Sequence, residues 1–197
     1  YRAKNPDARW RTTFDWMAAS GSFIVSLVFG VGFANFIIGM PVALAEGSNH
    51  LHVFTGGFFS LFSPFALLGG VCLVVLFLFH GANFLALKTK GVVHERAAAF
   101  AKKIGIASIL LGAAFLLWQN VAYPSFAPVL GWLFLVFAAV GLVVSWLMVG
   151  KRDGVAFAGT TVAIFFVAVG IFLRMWPNLG FDNSAATVPL DRVTAAS

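Results

Sequence analysis

Charge is what this sequence has least of: only 10% of its 197 residues are Asp, Glu, Lys or Arg, and only 7 are acids. Soluble globular chains carry about 25% charged residues, so a water-soluble single domain is excluded. Cysteine is nearly absent as well. The one thiol, Cys72, lies inside an apolar run, so no intrachain disulfide can form. No Walker loop, no dinucleotide fingerprint and no Ser/His/Asp arrangement occurs. Readings as a dehydrogenase, a hydrolase or an ATPase fall away with them.

What is there is apolar surface. Hydrophobic residues make up 60% of the chain, 23 of them Phe, and the mean hydropathy is +0.94. A chain so apolar all round is expected to be a polytopic integral membrane protein. The net charge of +6 would suggest nucleic acid if it formed one patch. It does not, because the basic residues stand in short clusters between long uncharged runs, the pattern of loops that set membrane topology; no nucleic-acid partner is expected. The opening Tyr1-Arg2-Ala3-Lys4 and the closing Thr194-Ala195-Ala196-Ser197 read as the middle of a longer polypeptide.

A crossing helix needs about 20 apolar residues. The uncharged run after Asp15 holds one, about 14–40, ended by Gly39-Met40-Pro41. The next run opens with Gly47, Ser48, Asn49 and His50, and later Thr55, Gly56 and Gly57, which is turn chemistry. Its crossing therefore starts late, at about 64–87, with Ser63 as N-cap, Pro64 at the first helical position and Phe58–Phe62 at the interface. Residues 104–150 hold two crossings, about 102–122 and 129–150, broken at Tyr123-Pro124-Ser125-Phe126-Ala127-Pro128. The last, about 154–175, ends at Arg174-Met175-Trp176-Pro177. The expectation is an all-α, polytopic transmembrane helical bundle, one domain with five crossings. Arg2, Lys4, Arg9 and Arg11, then Lys88, Lys90, Arg96, Lys102 and Lys103, then Lys151 and Arg152 fall on one face. The positive-inside rule assigns that face, and residue 1, to the cytoplasm, and residue 197 to the outside.

Ser22, Ser26, Gly30 and Ala34 recur every four residues, a ridge for close helix approach, and Gly105, Ser108 and Gly112 form another. Phe77, Phe79, Phe134, Phe137, Phe165 and Phe166 read as lipid-facing or inter-subunit contacts. Polar residues at membrane depth are candidates for function. Asp15, beside Trp16, is expected near the start of the first helix, where an acid complements the helix dipole. Asn35 is expected to bond between helices. His80 and Asn83 share a face of the second helix; a haem iron could use His80, but a second His at its depth is missing, and a buried interhelical hydrogen bond is the better reading. His50 and His52 fall in the loop expected outside, His94 in a cytoplasmic one. Gln119 and Asn120 are expected to satisfy a turn, and Arg174 to snorkel outward or pair with an acid of another subunit. A membrane subunit working with a partner and a secondary transporter fragment both remain open.

Three ordered stretches narrow this. Phe14-Asp15-Trp16 with Gly30-Val31-Gly32-Phe33-Ala34-Asn35 and Gly39-Met40-Pro41, then Phe54-Thr55-Gly56-Gly57-Phe58-Phe59 with Pro64-Phe65-Ala66-Leu67-Leu68-Gly69-Gly70, then His80-Gly81-Ala82-Asn83 through Lys88-Thr89-Lys90-Gly91-Val92-Val93-His94-Glu95-Arg96 together resemble subunit II of cytochrome bd-type quinol oxidases. The likeness is strongest over residues 1–100. It implies a subunit of eight helices, of which these would be the third to seventh, in a bacterial cell membrane. It implies a terminal oxidase that oxidises membrane quinol, reduces dioxygen to water and contributes to the proton gradient. The b-type and d-type haems would belong to subunit I, none to this segment. Subunit II can hold a structural quinone, and a small accessory subunit can join. The family often carries Gln where His80 stands, which favours hydrogen bonding there over iron ligation. No catalytic, cofactor or metal residue is transferred; Asp15, Trp16, Asn35, His80, Asn83, His94 and Arg96 are candidate polar or assembly positions.

Overall fold

The computed structural model describes residues 7–44, 52–123, 125, 127–175 and 181–182. Five helices dominate it: α1 (Ala8–Ile38), α2 (Pro64–Lys88), α3 (Val92–Ala122), α4 (Pro128–Met148) and α5 (Asp153–Met175). All five are long and apolar enough to cross a membrane. Short strands β1 (Met40–Leu44), β2 (His52–Phe54) and β3 (Phe181–Asp182) and a 3₁₀ turn at Phe58–Leu61 gather at one end.

The local rules work where a cap is encoded. Ser63 Oγ accepts from Ala66 N at 3.2 Å with Pro64 behind it, and Pro128 opens α4 after the expected break. Two helices start well before the uncharged runs do. Asp7 caps α1, accepting from Arg9 N at 3.0 Å, so Asp15 stands two turns inside rather than at the helix start. The basic loop after α2 shrinks to Thr89–Gly91, with Gly91 at φ 63°, and His94, Glu95, Arg96, Lys102 and Lys103 are helical. An uncharged run measures hydrocarbon thickness; a helix can continue past it through polar turns, because its backbone bonds are internal.

The strands were not legible either. β1 pairs antiparallel with β2 (Val42 opposite Phe54) and parallel with β3 (Met40 opposite Phe181). The turn residues Gly47 to His50 and the end at Trp176-Pro177 lie outside the described residues.

Successive helices run antiparallel. Phe65 and Phe115 stack at 5.0 Å at the sheet end, while His94 reaches the Ala86 carbonyl at the opposite, basic end. Two apolar cores follow: Phe79, Ala86, Ala97, Ala101, Leu142 and Val149 toward the basic end, and Val31, Ala34, Phe65, Phe115 and Ile171 toward the sheet. Phe79, expected to face lipid, is fully buried; it lies against Gly105, whose missing side chain makes the room. Phe77 and Phe165 do stay exposed.

The small-residue ridges act at only some of their members. A Cβ on Gly30 would lie 2.5 Å from the Gly69 oxygen, and one on Gly141 2.7 Å from that of Gly159. These are backbone-to-backbone crossings that only Gly permits. Ala34 is fully buried against Gly69. Ser22 is exposed and Ser26, among the described residues, bonds only to the Ser22 carbonyl (2.8 Å), because the first half of α1 stands away from the other helices.

Substituting Gly30→Val should therefore destabilise the protein by about 1–3 kcal/mol, the usual cost of overpacking. Gly32→Ala, where nothing lies within 4 Å of the added Cβ, should leave it unchanged. Thermal unfolding of the detergent-purified protein compares the two; equal midpoints would remove the crossing from the account.

Candidate functional site

Three polar contacts stand one turn apart along α2. His80 Nδ1 meets Thr160 Oγ1 of α5 at 2.7 Å, one turn on Asn83 Nδ2 donates to Ser145 Oγ of α4 at 2.9 Å, and one turn further the Ala86 carbonyl takes His94 Nδ1 of α3 at 2.9 Å. Positions three apart share a helix side but diverge in direction enough to reach three neighbours. The interhelical bond expected of His80 is thus present, and α2 is pinned by polar contacts to α3, α4 and α5 in turn.

Thr160 Oγ1 also lies 2.8 Å from the Phe157 carbonyl, so its one hydroxyl hydrogen serves either that carbonyl or His80 Nδ1, and the tautomer of the imidazole is set by that choice. The Phe157 ring stacks on the imidazole at 4.7 Å and 27°, fixing its plane. Asn83 and Ser145 are almost fully buried, and Asn83 Oδ1 has no partner among the described residues. His94 is not a loop residue but sits in the first turn of α3, its Nδ1 also 3.7 Å from Asp153 Oδ2; Asp153 in turn accepts from Gly150 N at 3.0 Å. This ties the two basic-end turns together.

A second polar cluster closes the sheet end, and sequence reasoning placed its parts without joining them. Arg174 does not snorkel outward. Its Nε donates to the Tyr123 carbonyl (3.0 Å), Nη1 to the Gly170 carbonyl (2.9 Å) and Nη2 to Asn120 Oδ1 (2.6 Å). With its amide oxygen turned inward, Gln119 adds bonds to Nε at 3.2 Å and Nη1 at 2.8 Å. Neutral oxygens take the guanidinium, and no carboxylate among the described residues pairs with it. Gln119 and Asn120 end α3 and Arg174 ends α5, both at the sheet end, which is the signal that could have joined them.

The remaining candidates stay apart. Asp15 and Trp16 lie on the exposed part of α1, with Trp16 71% accessible. Asn35 is buried at the other end of α1; it donates to the Val31 carbonyl and, rather than to another helix, to the Leu61 carbonyl of the 3₁₀ turn, both at 2.8 Å. Arg96 is exposed one turn into α3. The side chain of His52 and all of His50 lie outside the described residues. Among the described residues no three His, Cys, Asp or Glu side chains gather as a metal site.

The chemistry this arrangement supports is fixed geometry. The His80, Asn83, His94 and Arg174 bonds hold one helix to another. Replacing Arg174 by Met strands the Asn120 and Gln119 oxygens and should cost about 1–3 kcal/mol, the penalty of a buried group left unsatisfied. Arg174→Lys should not rescue it, since an ammonium lacks the planar fork that reaches several oxygens at once. The unfolding midpoint and hydrogen exchange at 119–123 report both; unchanged values in the Met variant would show the cluster to be idle.

Comparison with known proteins agrees with this architecture. The family model described as cytochrome bd terminal oxidase subunit II matches residues 1–197. Over 117 residues the chain is 40% identical to the probable cytochrome oxidase subunit 2 of Haemophilus influenzae, covering 59% of this chain and 30% of that protein. Identity is 37% over 119 residues with the cytochrome bd-I ubiquinol oxidase subunit 2 of Escherichia coli K12, covering 60% and 31%. The cytochrome bd ubiquinol oxidase subunit 2 of Bacillus subtilis aligns along the whole chain at 25% identity, 57% of its own length. The chain thus spans between 30% and 57% of the length of these relatives. On the full-length family match, with five helices apolar enough to span a bilayer, the chain belongs to the family of subunit II of cytochrome bd terminal oxidases.

Proposed function

We propose that this chain is the non-haem-bearing half of a bd-type complex that oxidises membrane quinol and reduces dioxygen to water, adding to the proton gradient by drawing protons from the cytoplasm. The observation that carries the reading is the family match along all 197 residues. The haems would sit in subunit I and supply the oxygen chemistry there. The rings of this chain are engaged by its own helices: His80 is bonded through Nδ1 to Thr160 and stacked on Phe157, and His94 is bonded through Nδ1 to the Ala86 carbonyl.

In this reading the basic end faces the cytoplasm, as the positive-inside rule directs. The first half of α1, with Trp16, Met17, Phe23, Ile24 and Val28 more than half exposed, would be covered by the rest of subunit II or by subunit I. An apolar cleft of about 330 Å³ between α1, α2 and α5, lined by Phe29, Phe33, Leu73 and Phe172, has the chemistry to take the tail of a structural quinone.

Purification of the full-length protein from its native membrane should bring down a second membrane chain and show b- and d-type haem bands in a reduced-minus-oxidised spectrum. A colourless protein migrating alone would overturn the reading and send the question to substrate-uptake assays. In the same complex His80→Gln should keep both the spectrum and the melting point, because a Gln amide can still donate to Thr160. His80→Leu should keep the spectrum but lower stability by roughly 1 kcal/mol, the worth of an interhelical hydrogen bond in a membrane. Loss of a haem band in either variant would place an iron ligand here after all.

A further inference from the structure

A furrow of about 540 Å³ runs between α2 and α3 on the outside of the molecule, toward the basic end, and no role described above uses it. Leu78, Gly81 and Leu85 form one wall and Val93, Arg96 and Phe100 the other. It exists because Gly81 has no side chain, and a Cβ there would meet nothing within 4 Å. Leu78, Leu85 and Phe100 are each almost half exposed along it.

Among the described residues Arg96 is the only charged one lining the furrow, and no hydrogen bond or ion pair joins it to any of them. It lies one turn from the start of α3, close to Lys88 at the end of α2, so it belongs to the membrane–water interface. The occupant must therefore be apolar along its length and anionic at one end. Its floor is closed, since α2 and α3 stay packed behind the furrow, with Phe79 against Gly105 and Ala86 against His94. From Leu78 to Leu85 it runs roughly 10 Å, about two thirds of the hydrocarbon depth of one leaflet.

We propose that this furrow is a binding site for an anionic phospholipid, with one acyl chain laid along Gly81 and the phosphate held by the Arg96 guanidinium. A guanidinium presents a planar pair of donors to two phosphate oxygens, and an arginine bonded to none of the described residues gives up no contact with them to do so. The site is independent of where the haems lie, and needs the furrow to face the bilayer.

The test uses the full-length complex, delipidated and reconstituted into phosphatidylcholine nanodiscs with phosphatidylglycerol as the titrated lipid, and counts retained phosphatidylglycerol by native mass spectrometry. Wild type should hold one molecule tightly. Arg96→Gln should weaken its retention roughly fivefold, the contribution of one basic residue near an anionic leaflet. Gly81→Leu should weaken it by filling the furrow, while Lys103→Gln, outside it, should not. Equal retention in wild type, Arg96→Gln and Gly81→Leu overturns the proposal. So does an equal loss in Lys103→Gln, which would mean diffuse attraction, or efficient cross-linking of Gly81→Cys to a second polypeptide, which would mean that a protein covers the furrow.

Discussion

Helix α2 is held to three other helices by three polar contacts one turn apart, and the arrangement of the bundle depends on that line. Inside a bilayer the hydrophobic effect does not drive helices together, because lipid tails are as apolar as Leu. Association has to come from close packing and from hydrogen bonds between helices. His80 to Thr160, Asn83 to Ser145 and the Ala86 carbonyl to His94 supply the second, each directed at a different helix. Any rotation of α2 about its axis breaks all three together, so they fix its orientation more than they add stability.

Glycine supplies the first term. At Gly30 against Gly69, and at Gly141 against Gly159, backbones meet with no side chain between them. Dispersion then acts over many atoms at short range. The two devices are adjacent at the α4–α5 crossing, where a Cβ on Gly159 would also press on Ser145, the residue that holds Asn83. The Arg174 cluster closes the opposite end by a different means, spreading one guanidinium over the carbonyls and amides that helix ends leave unpaired.

Much of this could be read from the residues. Charge-free runs and Pro positions set the number of helices and the turns at Ser63-Pro64 and Pro128, since membrane thickness and proline geometry are local constraints. The hydrogen bond of His80 followed from the absence of a second His at its depth. Helix starts were not legible: Asp7 and Gly91, rather than the first uncharged residue, begin α1 and α3. The strand pairs were missed because β1 and β3 are far apart in sequence and carry no alternating pattern long enough to see.

By itself, then, the sequence determined the solvent, the number of crossings and the basic end of the chain, because each is set by composition within one segment. The tertiary structure alone decided which polar group meets which. That Arg174 turns inward to Asn120 rather than out to water, that Phe79 fills the space beside Gly105, and that the start of α1 stands free while residues 30–37 carry its buried face depend on how helices distant in sequence are rotated against one another. No periodicity within a single helix encodes that rotation when every face of it is apolar.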